Sequence, residues 1–252
     1  MPELLAMLVA GVVQGILEWL PVSSEGFVAA ALLYFGCSPR VSVDLALLAH
    51  GGTMAAAALY FRRELAQGLR SSSLRRGIVP FLASSTAFTA AAGLPLYRFV
   101  TSLDSRAMTA LLGISLLATG LLARVRWVRG SKVVEDLTLL DGVVAGLAQG
   151  AAVIPGISRS GSTILALMLL GLPPSEAVKA SFIMSIPASA GAVLLAWPAD
   201  SLLPVAVMVA CSLAAGLLSI GLISRAASSV PSAFPVALGV ICLLSLLAPS
   251  PP

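Results

Sequence analysis

Nine residues, Pro155-Gly156-Ile157-Ser158-Arg159-Ser160-Gly161-Ser162-Thr163, set one arginine among hydroxyls and glycines between two apolar runs, Gly142–Ile154 and Ile164–Leu172. A guanidinium at membrane depth costs roughly 2.5–3.5 kcal/mol on insertion scales unless it is satisfied. The chemistry this stretch suits is the binding of an anion such as phosphate. Arg159 offers a planar fork of donors that could also neutralise charge on a transferring phosphoryl group. Ser158, Ser160 and Thr163 add hydroxyls, and Gly156 and Gly161 belong to the same cup, closed by free N–H groups at the start of the next helix. The plainer reading is that these hydroxyls cap that helix.

A second polar cluster interrupts the first apolar run. Gln14 and Glu18 lie one helical turn apart and share a face, and a carboxylate inside an apolar run is a functional candidate. Glu18 is read as a base or metal ligand, and equally as the structural partner of Arg159. Ser23 and Ser24 open the break that follows, where Ser23 reads as a cap and Ser24 as either a cap or a nucleophile. Glu25 either joins Glu18 on a metal or faces water. His50 is the chain's single histidine; alone in an apolar run, it reads as a packed, hydrogen-bonded side chain. Lys179 reads as a lysine reaching for the interface.

The elements that carry these residues are membrane helices. The 252 residues are 58% hydrophobic and 10% charged, with mean hydropathy +1.01, against about 25% charge in soluble domains. The net charge of +4 is therefore loop charge that sets orientation, and no nucleic-acid-reading motif is present. Cys37, Cys211 and Cys242 are scattered and read as small core residues. Met1-Pro2-Glu3 lacks a basic n-region, so the first apolar run is expected to be retained.

Leu4–Leu20 breaks at Pro21, and the apolar piece that follows, Phe27–Gly36, is too short for a hydrocarbon core of about 30 Å. A helix, a break and a half-helix suggest a re-entrant hairpin, and Gly142–Leu172 suggests a second. Full spans are expected at Leu45–Phe61, Ile78–Tyr97, Ala107–Ala123, Ala177–Trp197, Leu203–Ser224 and Ala233–Ala248. The fold class is thus an all-α, multi-pass integral membrane protein of the cell membrane, with six spans and two re-entrant helix-loop-helix hairpins. One basic loop carries Arg62, Arg63, Arg70, Arg75 and Arg76, and another Arg124, Arg126, Arg129 and Lys132. The positive-inside rule puts both loops and Arg225 in the cytoplasm and both termini outside. Sliding the chain by 135 positions lays Gly11 on Gly146, Gln14 on Gln149, Gly15 on Gly150, Ser23 on Ser158, Gly26 on Gly161, Gly36 on Gly171 and Pro39 on Pro174. A single membrane domain built of inverted halves, about 1–125 and 126–252, is expected, since such repeats bring broken helices together near the midplane.

Gln14-Gly15-Ile16-Leu17-Glu18-Trp19-Leu20-Pro21-Val22-Ser23-Ser24, together with Pro155–Gly161, resembles the undecaprenyl pyrophosphate phosphatase family, the bacitracin-resistance type of lipid-carrier recycling enzyme. Tyr60-Phe61-Arg62-Arg63-Glu64 and Ser181-Phe182…Ile186-Pro187 look like the family too, and the similarity runs over essentially the whole chain. The resemblance implies removal of the terminal phosphate from a polyprenyl diphosphate, assisted by a divalent cation such as Mg²⁺. Carried over by position, Glu18 matches the second glutamate of the family's acidic motif, Ser24 the proposed nucleophile or its neighbour, and Arg159 the phosphate-binding arginine. Gln14 stands where a first glutamate is usual, Glu25 where a threonine is usual, and Phe27 where the family places a histidine for proton transfer. A flippase for polyprenyl phosphate or another anionic lipid is the rival expectation, and a purely structural membrane subunit explains neither Arg159 nor the serines. Monomer and homodimer are both left open.

Overall fold

The computed structural model describes residues 2–70, 72–122, 130–197, 202–226 and 233–246. Among them there is no strand. Eleven α-helices run in order: α1 Pro2–Leu17, α2 Ser24–Tyr34, α3 Pro39–Tyr60, α4 Arg62–Arg70, α5 Ser72–Thr101, α6 Ser105–Leu122, α7 Leu139–Ala151, α8 Arg159–Leu169, α9 Pro174–Ala196, α10 Leu202–Ala226 and α11 Ala233–Ser245. Four are long and apolar enough to cross a bilayer: α3, Gly77–Thr101 of α5, α9, and Leu202–Leu222 of α10. The chain is an all-α integral membrane protein. Among the described residues α6 covers 18 residues and α11 13, against the roughly 20 that a bilayer core needs. The first basic loop is a helix, α4, in which Arg62, Arg63 and Glu64 are exposed. Arg124, Arg126 and Arg129, expected on the second basic loop, lie outside the described residues.

α1 stops at Leu17, not at Leu20, because Pro21 cannot donate to the preceding turn. The chain turns through 18–23 and restarts at α2, whose N-cap Ser23 accepts the Gly26 N–H on its hydroxyl. The α7–α8 pair is built the same way, with Ser158 as N-cap accepting from Gly161 N. Both short helices end at a glycine with positive φ, Gly36 at +89° and Gly171 at +101°, and both following helices carry proline in the first turn, at Pro39 and Pro174. The residues that coincide under the 135-position shift thus do the same local work: cap, stop and restart.

The helices pack in a regular exchange. α1 lies on α10, α5 on α7, α3 on α9, and α6 on α11. Small residues permit the first two contacts. A Cβ at Gly11 would collide with the Met208 carbonyl of α10, and one at Gly146 with the Ser85 carbonyl of α5. Glycine lets membrane helices approach backbone to backbone, where van der Waals contact is the main source of association. Trp19, fully buried in the turn after α1, stacks edge-on against Phe182 of α9 at 5.1 Å and donates its indole N–H to Ser219 of α10 at 3.2 Å. That ring ties the first turn to the bundle.

Candidate functional site

The tips of α1–α2 and α7–α8 meet in the interior. Ser23 Oγ, besides capping α2, accepts the N–H of Gly156 at 3.1 Å, and Ser160 Oγ donates to the Leu20 carbonyl at 2.6 Å. Gly156 has φ +99°, a conformation that side chains resist, and its N–H needs a bare neighbour: a Cβ at Gly26 would lie 2.8 Å from it. Thr119 of α6 completes the clasp. Its hydroxyl donates to Gly156 O at 2.7 Å and accepts from Ser158 N at 3.1 Å. These four bonds pair, across chain segments, polar groups that burial in hydrocarbon would otherwise leave orphaned.

The clasp sets Glu18 beside Arg159. Arg159 Nη2 donates to Glu18 Oε1, and Nη1 to the Ser181 carbonyl of α9 at 3.3 Å. Arg159 is the first residue of α8, where the helix dipole disfavours a cation; the buried carboxylate offsets this. The second oxygen, Glu18 Oε2, accepts from Gln14 Nε2 and from Ser24 Oγ, each at 2.7 Å, and has His50 Nε2 of α3 at 3.5 Å. Glu18, Gln14, Ser24, Glu25 and His50 are all buried. Such a network is costly to build unless each member is satisfied.

Of the residues expected to act together, Glu18, Gln14, Ser24 and Arg159 form one network. Ser23, Gly156, Ser158, Ser160 and Gly161 form the clasp beneath it. Thr163 points elsewhere along α8, donating to Arg159 O at 2.8 Å and pairing with the Ser181 hydroxyl at 2.6 Å. His50, expected as a packing residue, does hydrogen-bond through Nδ1 to Ala46 O at 2.9 Å, yet its other nitrogen faces Glu18. Thr119, Ser181 and Gln149 were not expected at the site. Gln149 alone left a trace, as the residue that falls on Gln14 under the repeat shift.

A cavity of about 60 Å³ opens beside this network, lined by Glu25, His50, Thr89, Gln149, Arg159, Ser185 and Ser189 among others. A water needs roughly 10–15 Å³ of such space, so a few waters or one phosphoryl group fit. It adjoins a larger cavity of about 400 Å³ between α3, α5, α9 and the turn after α7, the two sharing Leu47, Thr89, Val153, Ala188 and Ala192. The larger one is walled by Leu94, Pro187, Gly191, Leu194 and Leu195. A polar chamber and an apolar one share a wall.

Among the described residues three buried side-chain oxygens have no hydrogen-bond partner: Gln14 Oε1, Glu25 Oε1 and Gln149 Oε1. The last two residues line the polar cavity. A hard divalent cation takes such oxygens, and Mg²⁺ commonly uses one or two carboxylates plus substrate phosphates. Glu18 is differently placed: Oε2 is filled by two donors, and Oε1 lies against the arginine cation. Among the described residues no three His, Cys, Asp or Glu side chains cluster as a metal cage.

Residues 7–241 match the family described as Bacitracin resistance protein BacA. The chain belongs to the BacA family. Its relatives include proteins named undecaprenyl-diphosphatase from Methanothrix thermoacetophila, 37% identical with 96% of each chain covered, and from Haloarcula marismortui, 37% identical with 92% of each covered. Another of that name, from Saccharolobus islandicus, is 42% identical over 77% of this chain and 73% of its own. The Glu18–Arg159 network and the cavity beside it are the candidate site of this chain.

Proposed function

We propose that the chain hydrolyses a polyprenyl diphosphate of the undecaprenyl type to the monophosphate, returning the carrier lipid to cell-envelope glycan synthesis. The observation that carries this reading is the buried Arg159–Glu18–Ser24 network, whose Arg159 reaches a cavity lined with polar side chains that adjoins an apolar one. A diphosphate head and a prenyl tail match that pair of chambers. Family membership supports the same reaction. Two inverted halves, about 1–125 and 126–252, with α1–α2 and α7–α8 as re-entrant hairpins, are the architecture we assign to the scaffold. The exchange of partners between α1–α10 and α5–α7 supports it, as does the shared cap, stop and restart pattern.

Phosphoryl transfer depends on positioning and charge stabilisation more than on covalent chemistry. Arg159 holds the terminal phosphate and balances the charge that spreads over its oxygens. Ser24, whose hydroxyl donates to Glu18 Oε2 at 2.7 Å, is the nucleophile, and Glu18 accepts its hydrogen. Gln14 fixes the carboxylate by the second bond to Oε2. The clasp of Ser23, Gly156, Ser158, Ser160 and Gly161 keeps the two tips in register. A divalent cation, Mg²⁺ by its hardness, would be held by Glu25 and Gln149, and when bound it supplies positive charge to the diphosphate.

The test is phosphate release from a polyprenyl diphosphate by the purified chain with Mg²⁺, compared with Arg159→Ala and Glu18→Ala. Release that vanishes in both variants is the expected result. Release unchanged in Arg159→Ala overturns the reading, and lipid crossing vesicle bilayers without release would assign transport in its place.

A further inference from the structure

His50 sits buried within α3, one of the four helices able to span a bilayer. An ionisable ring at that depth is retained for a reason that its partners should reveal. Nδ1 lies 2.9 Å from the Ala46 carbonyl, which can only accept. In the neutral ring the hydrogen therefore sits on Nδ1, and Nε2 presents a lone pair. That lone pair faces Glu18 Oε2 at 3.5 Å, the same oxygen that accepts the Ser24 hydroxyl at 2.7 Å. Catalytic contacts of this length commonly tighten once substrate is bound. His50 also lines the polar cavity with Arg159 and Glu25, so a group at residue 50 can exchange a proton with whatever occupies it. The charged side chains around it are Glu18 from the turn after α1, Glu25 from α2 and Arg159 from α8; α5 and α9 contribute Thr89, Ser185 and Ser189 to the same cavity.

We infer that His50 is the terminal proton acceptor of the site, taking up through Glu18 the hydrogen that Ser24 gives up. The inference rests on the phosphatase reading above. In the first step the Ser24 Oγ–P bond forms as the bond from the terminal phosphorus to the bridging oxygen breaks. The electron pair leaves with the lipid monophosphate, and the proton passes from Ser24 through Glu18 Oε2 to His50 Nε2. In the second step a water oxygen bonds to phosphorus and the Oγ–P bond breaks. One water hydrogen returns to Oγ, and the other stays on the released phosphate. The proton left on His50 is the one that the overall hydrolysis releases.

The experiment compares His50→Gln, His50→Ala and Arg159→Ala in phosphate release from a polyprenyl diphosphate with Mg²⁺. General-base groups contribute typically 10²–10⁴-fold, so kcat of His50→Gln should fall about 100-fold or more with KM nearly unchanged. Added imidazole should restore kcat to His50→Ala, in proportion to its concentration, and not to Arg159→Ala. As the chain has one histidine, labelling with ¹⁵N-histidine gives a single pair of ring signals. The neutral ring should show hydrogen on Nδ1 and a bare Nε2. Three results overturn the inference while leaving the phosphatase reading intact: His50→Gln with near-native kcat, a loss that imidazole does not repair, or a ring with its hydrogen on Nε2. No release from the native chain overturns both.

Discussion

At the scale of single residues, the charge pair decides the most. Glu18 and Arg159 are 141 positions apart and bury one another. Deleting one member of such a pair leaves an uncompensated charge and costs about 3–5 kcal/mol, whereas replacing both with apolar residues is often neutral. Arg159→Ala should therefore lose stability to denaturant as well as phosphate release. The double variant Glu18→Leu/Arg159→Met should regain most of the stability and none of the release. Equal losses in the single and double variants would show that the pair holds no compensated charge. Ser24→Ala separates chemistry from packing: release should fall below detection while stability drops by only about 1 kcal/mol, the usual net worth of one hydrogen bond. The sequence made this pair and Ser24 legible because charges and hydroxyls stand out in apolar runs. It hid His50, whose significance depends on the face of α3 that meets α1, a matter of tertiary packing. It hid Thr119 and Ser181 too, since ordinary hydroxyls on long spans carry no local signal. Phe27 is a related case. It stands where the family places a histidine, and here it packs against the apolar cluster of Leu112, Leu116 and Cys242, contributing to the α6–α11 side of the bundle.

At the scale of elements, the site depends on two helix pairs held tip to tip. The breaks at Pro21 and Pro155 and the caps at Ser23 and Ser158 could be read from proline and serine chemistry, because helix ends are encoded locally. That α4 is a helix was hidden under its charge, which resembles a loop until its spacing is seen against a bundle. The clasp itself makes a sharp prediction. Thr119→Val removes the one hydroxyl serving both Gly156 O and Ser158 N. Leaving a buried polar group unpaired costs about 1–3 kcal/mol, so Thr119→Val should destabilise by roughly 2–6 kcal/mol if both groups are stranded. Gly26→Ala forces a Cβ to within 2.8 Å of Gly156 N and should lower kcat, since it separates Ser24 from Arg159 without touching either. Native kcat in Gly26→Ala would mean that the tips need no close register.

At the scale of the whole molecule, the packing leaves a hollow between α3, α5, α9 and the turn after α7. Ligand sites generally enclose roughly 300–1,000 Å³, and the apolar chamber of about 400 Å³ falls in that range. Sequence periodicity could place these helices in a membrane but could not show where they stand apart, because a cavity is a property of the assembled bundle. Gly191 of α9 lines this chamber, and a Cβ built on it meets nothing within 4 Å. Gly191→Phe therefore enters open space without straining the fold, and it occupies volume that a prenyl tail would use. Excluding even two methylenes, at about 0.8 kcal/mol each, should raise KM for a long polyprenyl diphosphate roughly tenfold. Dimethylallyl diphosphate, whose tail barely passes the polar chamber, should keep its native KM. Measured side by side, the two substrates separate a tail site from general damage. A KM raised equally for both would place the lipid tail outside this chamber, against another face of the bundle.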